Sequence, residues 1–169
     1  MASASASEAS GSTTESDIQF VVCVVADERY GIEVGRVREI IRLTAITALP
    51  GADRSFSGVI NLRGRVVPVM DLRRQFGLPD APPTRRSRIV VAEAGGAQLG
   101  LVVDAVNEVV RIAATAIEPT PTLTASAATE HLTGIARASD GLVLVLDLER
   151  LVGTTLPTVT DSAAPGASA

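Results

Sequence analysis

The segment Tyr30-Gly-Ile-Glu-Val-Gly-Arg-Val-Arg-Glu-Ile-Ile-Arg-Leu43 lies over Leu99-Gly-Leu-Val-Val-Asp-Ala-Val-Asn-Glu-Val-Val-Arg-Ile112 at an offset of 69, with five identities and four exchanges of one aliphatic residue for another. Residues 58–77 then lie over 134–153 at an offset of 76 with seven identities, among them Gly58/Gly134, Val67/Val143, Asp71/Asp147, Leu72/Leu148 and Gly77/Gly153. The order of matched segments is kept, and the offset grows only across the Pro-containing stretches 44–57 and 113–133. Loops tolerate such changes in length and strands do not. The chain therefore reads as an internal duplication. Each copy spans roughly 60–70 residues, a size at which a single core is marginal, so the two are expected to pack together.

The duplicated segments carry strand signals. Ile18-Gln-Phe-Val-Val-Cys-Val-Val25, Tyr30–Val34, Arg65–Met70 and Gly141–Leu146 are short runs rich in β-branched residues. Pro68 has no ladder donor, so its strand is expected to lie at an edge or to be bulged there. Helix signals are short. Asp71 and Asp147 each stand as an N-cap before Leu-x-Arg, with glycine ending the turn at Gly77 and Gly153. The expected fold is mainly β: two tandem five-stranded barrels with short helices, spanning 18–87 and 88–156 within a domain at 18–156. The Ala/Ser-rich residues 1–17 and the Pro/Ala/Ser/Thr-rich residues 157–169 are expected to be disordered tails.

Composition removes many functions. All 15 basic residues are arginine against 19 acidic ones, giving a net charge of -4. Without lysine there is no lysine Schiff base and no P-loop of the usual kind. One Cys and one His cannot make a four-ligand zinc site or an intrachain disulfide. Few rings and an acidic balance speak against nucleic acid as a partner. No apolar run reaches the ~18–20 residues of a membrane helix, so direct membrane insertion is not expected. The N-terminus lacks the charged and apolar parts of a signal peptide. A cytoplasmic protein is expected, with no metal and no cofactor.

Individual residues support little chemistry. His131 follows Glu130 but has no nucleophile in a recognisable context, and reads as a surface-loop histidine. Cys23 sits mid-strand as a buried thiol. Asp104 and Glu108 read as solvated. Arg85-Arg86-Ser87-Arg88, after Pro82-Pro83 at the join of the copies, is either an anion-binding patch or a solvated linker. Gly58-Val-Ile-Asn-Leu-Arg-Gly64 is different. Asn61 and Arg63 are polar between aliphatic strands, and Gly64 suits a tight hairpin turn. Held there, Arg63 needs a carboxylate partner, for which Glu39 is a candidate.

Tyr30–Val34, Val37–Ile40, Phe56–Arg73, Gly100–Val106, Ile117–Pro121 and Leu132–Gly134 together resemble the CheW family, the coupling proteins of bacterial chemosensory arrays. The resemblance covers about 18–152. It implies two SH3-like barrels joined by a hydrophobic seam, and no catalysis. It also implies a non-enzymatic adaptor that places a CheA-type histidine kinase under the control of chemoreceptors. The partners so implied are the regulatory domain of that kinase, the cytoplasmic tip of the receptors and other CheW-like domains in array rings. Recruitment to membrane-associated arrays follows from the same resemblance. On the family pattern a receptor helical hairpin docks between the barrels. The contact positions carried over are Val37, Glu39, Ile40, Gly58, Asn61, Arg63, Gly64, Val106 and Val109, with Glu39 and Arg63 as an ion pair. As the sequence stops at Ala169, no fused receiver domain is expected. The alternative left open by the residues is an SH3-like module for a small ligand or nucleic acid.

Overall fold

A computed structural model describes residues 17–51, 55–120, 131–138 and 141–155. Both expected tails lie outside the described residues, apart from Asp17. The elements run β1 (Asp17–Val25), β2 (Glu28–Glu33), a 3₁₀ turn (Val34–Arg36), β3 (Val37–Arg42), β4 (Phe56–Leu62), β5 (Arg65–Asp71) and α1 (Leu72–Gln75). The second half runs β6 (Arg88–Ala94), β7 (Ala97–Val103), β8 (Ala105–Ala113), a 3₁₀ turn (Ala114–Ala116), β9 (Ile117–Glu118), β10 (Leu132–Ala138), β11 (Gly141–Leu146) and α2 (Leu148–Thr155). Asp71 caps α1 by accepting from Arg73 N at 2.9 Å, and Asp147 caps α2 by accepting from Arg150 N at 3.2 Å.

The strands form two sheets, ordered β3-β6-β7-β5-β4 and β8-β1-β2-β11-β10-β9. The two-residue β9 brings the second to six strands, where five were expected. In that sheet β8 passes through the 3₁₀ turn directly into β9, so the strand order ends on the stretch of chain where it began. In the five-stranded sheet Thr47, beyond β3, returns to β4, exchanging two 2.9 Å backbone bonds with Val59. Both sheets therefore close as barrels, which removes open edges.

A division at residue 87 does not separate these sheets. The hairpin β1-β2 joins the sheet built from β8–β11, and the hairpin β6-β7 joins the sheet built from β3–β5. Each copy thus lends its first hairpin to the other. The exchange is made at two parallel contacts, Val145 opposite Gly31 and Val69 opposite Gly100, which are equivalent positions under the offsets of 76 and 69. Neither glycine has room for a side chain, because an added Cβ would lie 2.9 Å from Val143 Cγ1 or from Ile89 Cγ2. Pro68 also departs from expectation. Its strand β5 is interior, and Pro68 is accommodated because the parallel ladder to β7 begins only at Val69. The nearby bulge falls on the partner strand, between Phe56 and Gly58.

Burial follows the exchange. One cluster (Ile60, Val67, Val69, Ile89, Val91) fills the first barrel and another (Phe20, Ile112, Ala136, Val145) the second. Phe20 and Ile89 are equivalent residues, as are Ala136 and Ile60. The largest cluster lies where the barrels meet. It is drawn from β1, β2, β6 and β7 with Met70, Leu72, Phe76, Leu132, Leu146, Leu148 and Leu151. Each exchanged hairpin turns one face into a barrel and the other onto this joint, which explains why both faces are apolar.

Candidate interaction surface

The tip of β4-β5 is a two-residue turn, with Leu62 opposite Arg65 and Arg63-Gly64 between them. Both have positive φ, 53° at Arg63 and 82° at Gly64, as a type I′ turn requires. Glycine takes this conformation freely, whereas arginine does so at a cost. Asn61 Oδ1 accepts from Gly64 N at 2.9 Å and fixes the turn. The Arg63 guanidinium donates to the Glu39 carboxylate, which joins the turn to β3 across the mouth of the first barrel. Arg63 remains 73% exposed against 26% for Glu39, so its charge is presented outward. In the second copy Glu108, equivalent to Glu39, pairs instead with Arg29 at 3.3 Å.

Gly58 plays a different part. It is buried at φ 143°, and an added Cβ would stand 2.1 Å from Thr47 O. Its place lets the chain close the first barrel, a structural reason for glycine there. Gly134 is its counterpart, 2.4 Å from Glu118 O by the same construction.

Val37 and Val106, equivalent residues, both pack against the joint cluster. Ile40 stands opposite Val90 and Val109 opposite Val21, two buried joint residues. Ile40 and Val109 therefore carry each barrel's joint-facing surface outward into solvent, at 40% and 56% exposure. A second equivalent pair, Val66 and Leu142, lies beside the two hairpin tips at 70% and 52%. Four of the large exposed apolar residues thus fall into two pairs related by the duplication. Scattered surface leucines and valines need no explanation, but repetition at matched positions does.

His131, Asp104 and Cys23 have structural places. His131 was expected on the surface but is buried, with Nε2 3.1 Å from Gln75 Nε2 and its ring 6.5 Å from that of Phe76. Its carbonyl accepts from Asp147 N, as that of Ser55 does from Asp71 N, both at 2.8 Å. Asp104, expected to be solvated, is partly buried and held by Arg73. Burial pushes the Cys23 thiol up to about 12, which leaves it protonated and inert. Among the described residues no group of three or more His, Cys, Asp or Glu is gathered as a metal ion would need. No helix among them is long and apolar enough to cross a membrane.

The CheW-like domain family matches residues 19–155. The chemotaxis protein CheW of Klebsiella aerogenes is 30% identical over 146 residues, covering 86% of this chain and 88% of that protein. A probable chemotaxis protein CheW of Rhizobium etli is 32% identical over 144 residues, covering 85% and 93%. Among solved structures, the scaffolding protein TtCheW of Thermoanaerobacter tengcongensis superposes with a TM-score of 0.75 at 36% identity, covering 79% of this chain and 91% of that one.

Proposed function

Since the chain belongs to the CheW-like family of adaptor proteins, we propose that it couples chemoreceptors to a CheA-type histidine kinase and so places kinase activity under receptor control. The observation that carries this reading is the repetition of exposed aliphatics, Ile40 with Val109 and Val66 with Leu142, in matched places on two barrels. An adaptor needs two faces, one for each of the proteins it connects. The strip of Val37, Ile40, Val106 and Val109 along the joint suits an amphipathic helical hairpin, whose i, i+3 and i+4 anchors fit an aliphatic groove. The receptor tip is its proposed occupant. The barrel end at Asn61, Arg63, Gly64 and Glu39, flanked by Val66, suits the kinase regulatory domain, itself expected to be a double barrel. A like domain of a second adaptor would meet the same end in a ring. Weak contacts at both faces gain strength through multivalency, and coupling follows if receptor states bind the adaptor–kinase unit with different free energies. The chain would then act in the cytoplasm, at membrane-associated arrays.

The test is co-sedimentation of the full chain with receptor signalling segments and kinase. Val37→Asp should lose receptor binding and Arg63→Asp kinase binding, with circular dichroism unchanged in each. Binding of both partners at wild-type strength by both variants would reject these faces.

A further inference from the structure

We propose that the cleft between the end of β3 and the turn entering β6 binds a phosphoryl group. This does not rest on the adaptor reading and concerns a different part of the surface. The cleft has a volume of about 430 Å³ and is lined by Arg42, Leu43, Thr84, Arg85 and Ser87. Its positive charge is uncompensated. Eight arginines (29, 36, 38, 63, 73, 74, 137 and 150) form ion pairs. Among the described residues, Arg42, Arg85, Arg86 and Arg88 form none. Arg65 and Arg111 also form none, but neither lines the cleft. Two of the first four, Arg42 and Arg85, line the cleft, and in a chain of net charge -4 they mark a local preference for an anion.

The register sharpens this. Arg42 lies directly opposite Arg88 on neighbouring strands, and like charges so placed destabilise a sheet. An anion bound at Arg42 would offset part of that penalty. The turn is rigid enough to hold one. Thr84 N donates to Ser87 Oγ at 2.8 Å, Ser87 N donates to Thr84 O at 3.1 Å, and Arg86 N donates to Thr84 Oγ1 at 3.1 Å. The Arg88 guanidinium locks the turn from outside, donating to the carbonyls of Arg85 and Ser87 at 2.7 and 2.8 Å. Arg86 leans toward Asn107 Oδ1 at 3.5 Å. This leaves the Arg42 and Arg85 guanidiniums as the two free forks at the cleft. Ser87 is buried, and its hydroxyl, which accepts from Thr84 N, keeps its own proton to donate.

Two guanidinium forks and a hydroxyl, arriving from the end of one strand and the turn before another, suit the three free oxygens of a phosphate ester better than the two coplanar oxygens of a carboxylate. The volume lies within the ~300–1,000 Å³ range of small-ligand sites, which leaves room for the group that bears the phosphate. That group could be a small metabolite or a phosphorylated side chain of another protein.

Calorimetric titration of the full chain with pyrophosphate, at fixed low ionic strength, tests the site. Saturable one-site binding is expected, weakened at least about tenfold in both Arg42→Gln and Arg85→Gln and unchanged in Arg65→Gln, with thermal unfolding showing all three folded. Competition against bound pyrophosphate by glycerol 3-phosphate and by a neutral phosphoserine peptide then distinguishes the two sources, and displacement by either supports the site. The proposal is overturned by absence of saturable heat, by succinate binding as tightly as pyrophosphate, by equal losses in Arg65→Gln, or by displacement with neither ester.

Discussion

Arg73 grips Asp104 with two hydrogen bonds, Nε to Oδ1 at 3.1 Å and Nη2 to Oδ2 at 2.7 Å, while Ala26 N donates to the same Oδ2 at 2.8 Å. Three distant pieces of chain (the β1-β2 turn, α1 and the β7-β8 corner) are pinned at one carboxylate. Ala26 has φ 58° and its equivalent Gly95 has φ 59°. The Gly95 backbone likewise lies beside a carboxylate, that of Glu149, whose pKa it helps to lower and which pairs with Arg36. The device is repeated with its charges reversed. At the first site the acid is on the strand corner and the arginine on the helix, and at the second the acid is on the helix.

The two sites should differ in weight. Asp104 and Arg73 are largely shielded, whereas Arg36 and Glu149 are solvated. Asp104→Asn is expected to cost about 1–3 kcal/mol in urea unfolding, and Glu149→Gln less than about 1 kcal/mol. Equal losses would contradict the assignment. Burial alone would raise the Asp104 pKa, but hydrogen bonds from Arg73 and Ala26 outweigh it and hold the value below the ordinary 3.8. The folded carboxylate then resists protonation more than the unfolded one. Its stabilisation is complete above about pH 4 and disappears as pH falls through the folded value. Wild type and Asp104→Asn should therefore converge in stability in acid.

Glycine positions separate folding from binding. Gly58→Ala should abolish or severely reduce folding, since backbone atoms of Thr47 and Ala48 cannot retreat from the new methyl group. Gly31→Ala meets a side chain only, so a loss of about 1–3 kcal/mol is expected, partly recovered in the double variant with Val143→Ala. Gly35→Ala, with nothing within 4 Å, should leave stability near wild type. Thermal unfolding of the four proteins checks the ranking. A fully folded Gly58→Ala protein that failed to bind would return Gly58 to the contact surface.

At Arg63 stability and function should pull apart. Asparagine tolerates positive φ and precedes glycine in favoured type I′ turns. Arg63→Asn should therefore hold or raise the melting temperature even though the Glu39 ion pair is lost, because exposed pairs contribute little. Partner binding should fall in the same protein. A strained, exposed arginine that weakens its own turn is then explained by what it contacts outside the chain.

The duplication, the caps at Asp71 and Asp147, the Arg63-Gly64 turn and the Glu39–Arg63 pair were all legible because each rests on local spacing or on a charge set among aliphatic residues. The hairpin exchange was not. Strand β2 pairs with β11, more than a hundred residues away, and the same two-faced apolar pattern serves a neighbour in either copy. His131 carried an unused signal: the offset of 76 lays it on Ser55, which is buried at the same closure. Asp104 offered none, since its partner Arg73 lies outside any periodic relation to it.

If the chain transmits receptor state to a kinase through faces that include Arg63 and the joint strip, kinase autophosphorylation in a reconstituted mixture of receptor, kinase and the full chain will report it. Wild type should stimulate the kinase strongly, receptor ligand should suppress that stimulation, and Arg63→Asp or Val37→Asp should stimulate little. Glu39→Arg combined with Arg63→Glu should recover part of what either single change loses. Kinase activity indifferent to the wild-type chain, or equally stimulated by Arg63→Asp and Val37→Asp, would contradict this coupling.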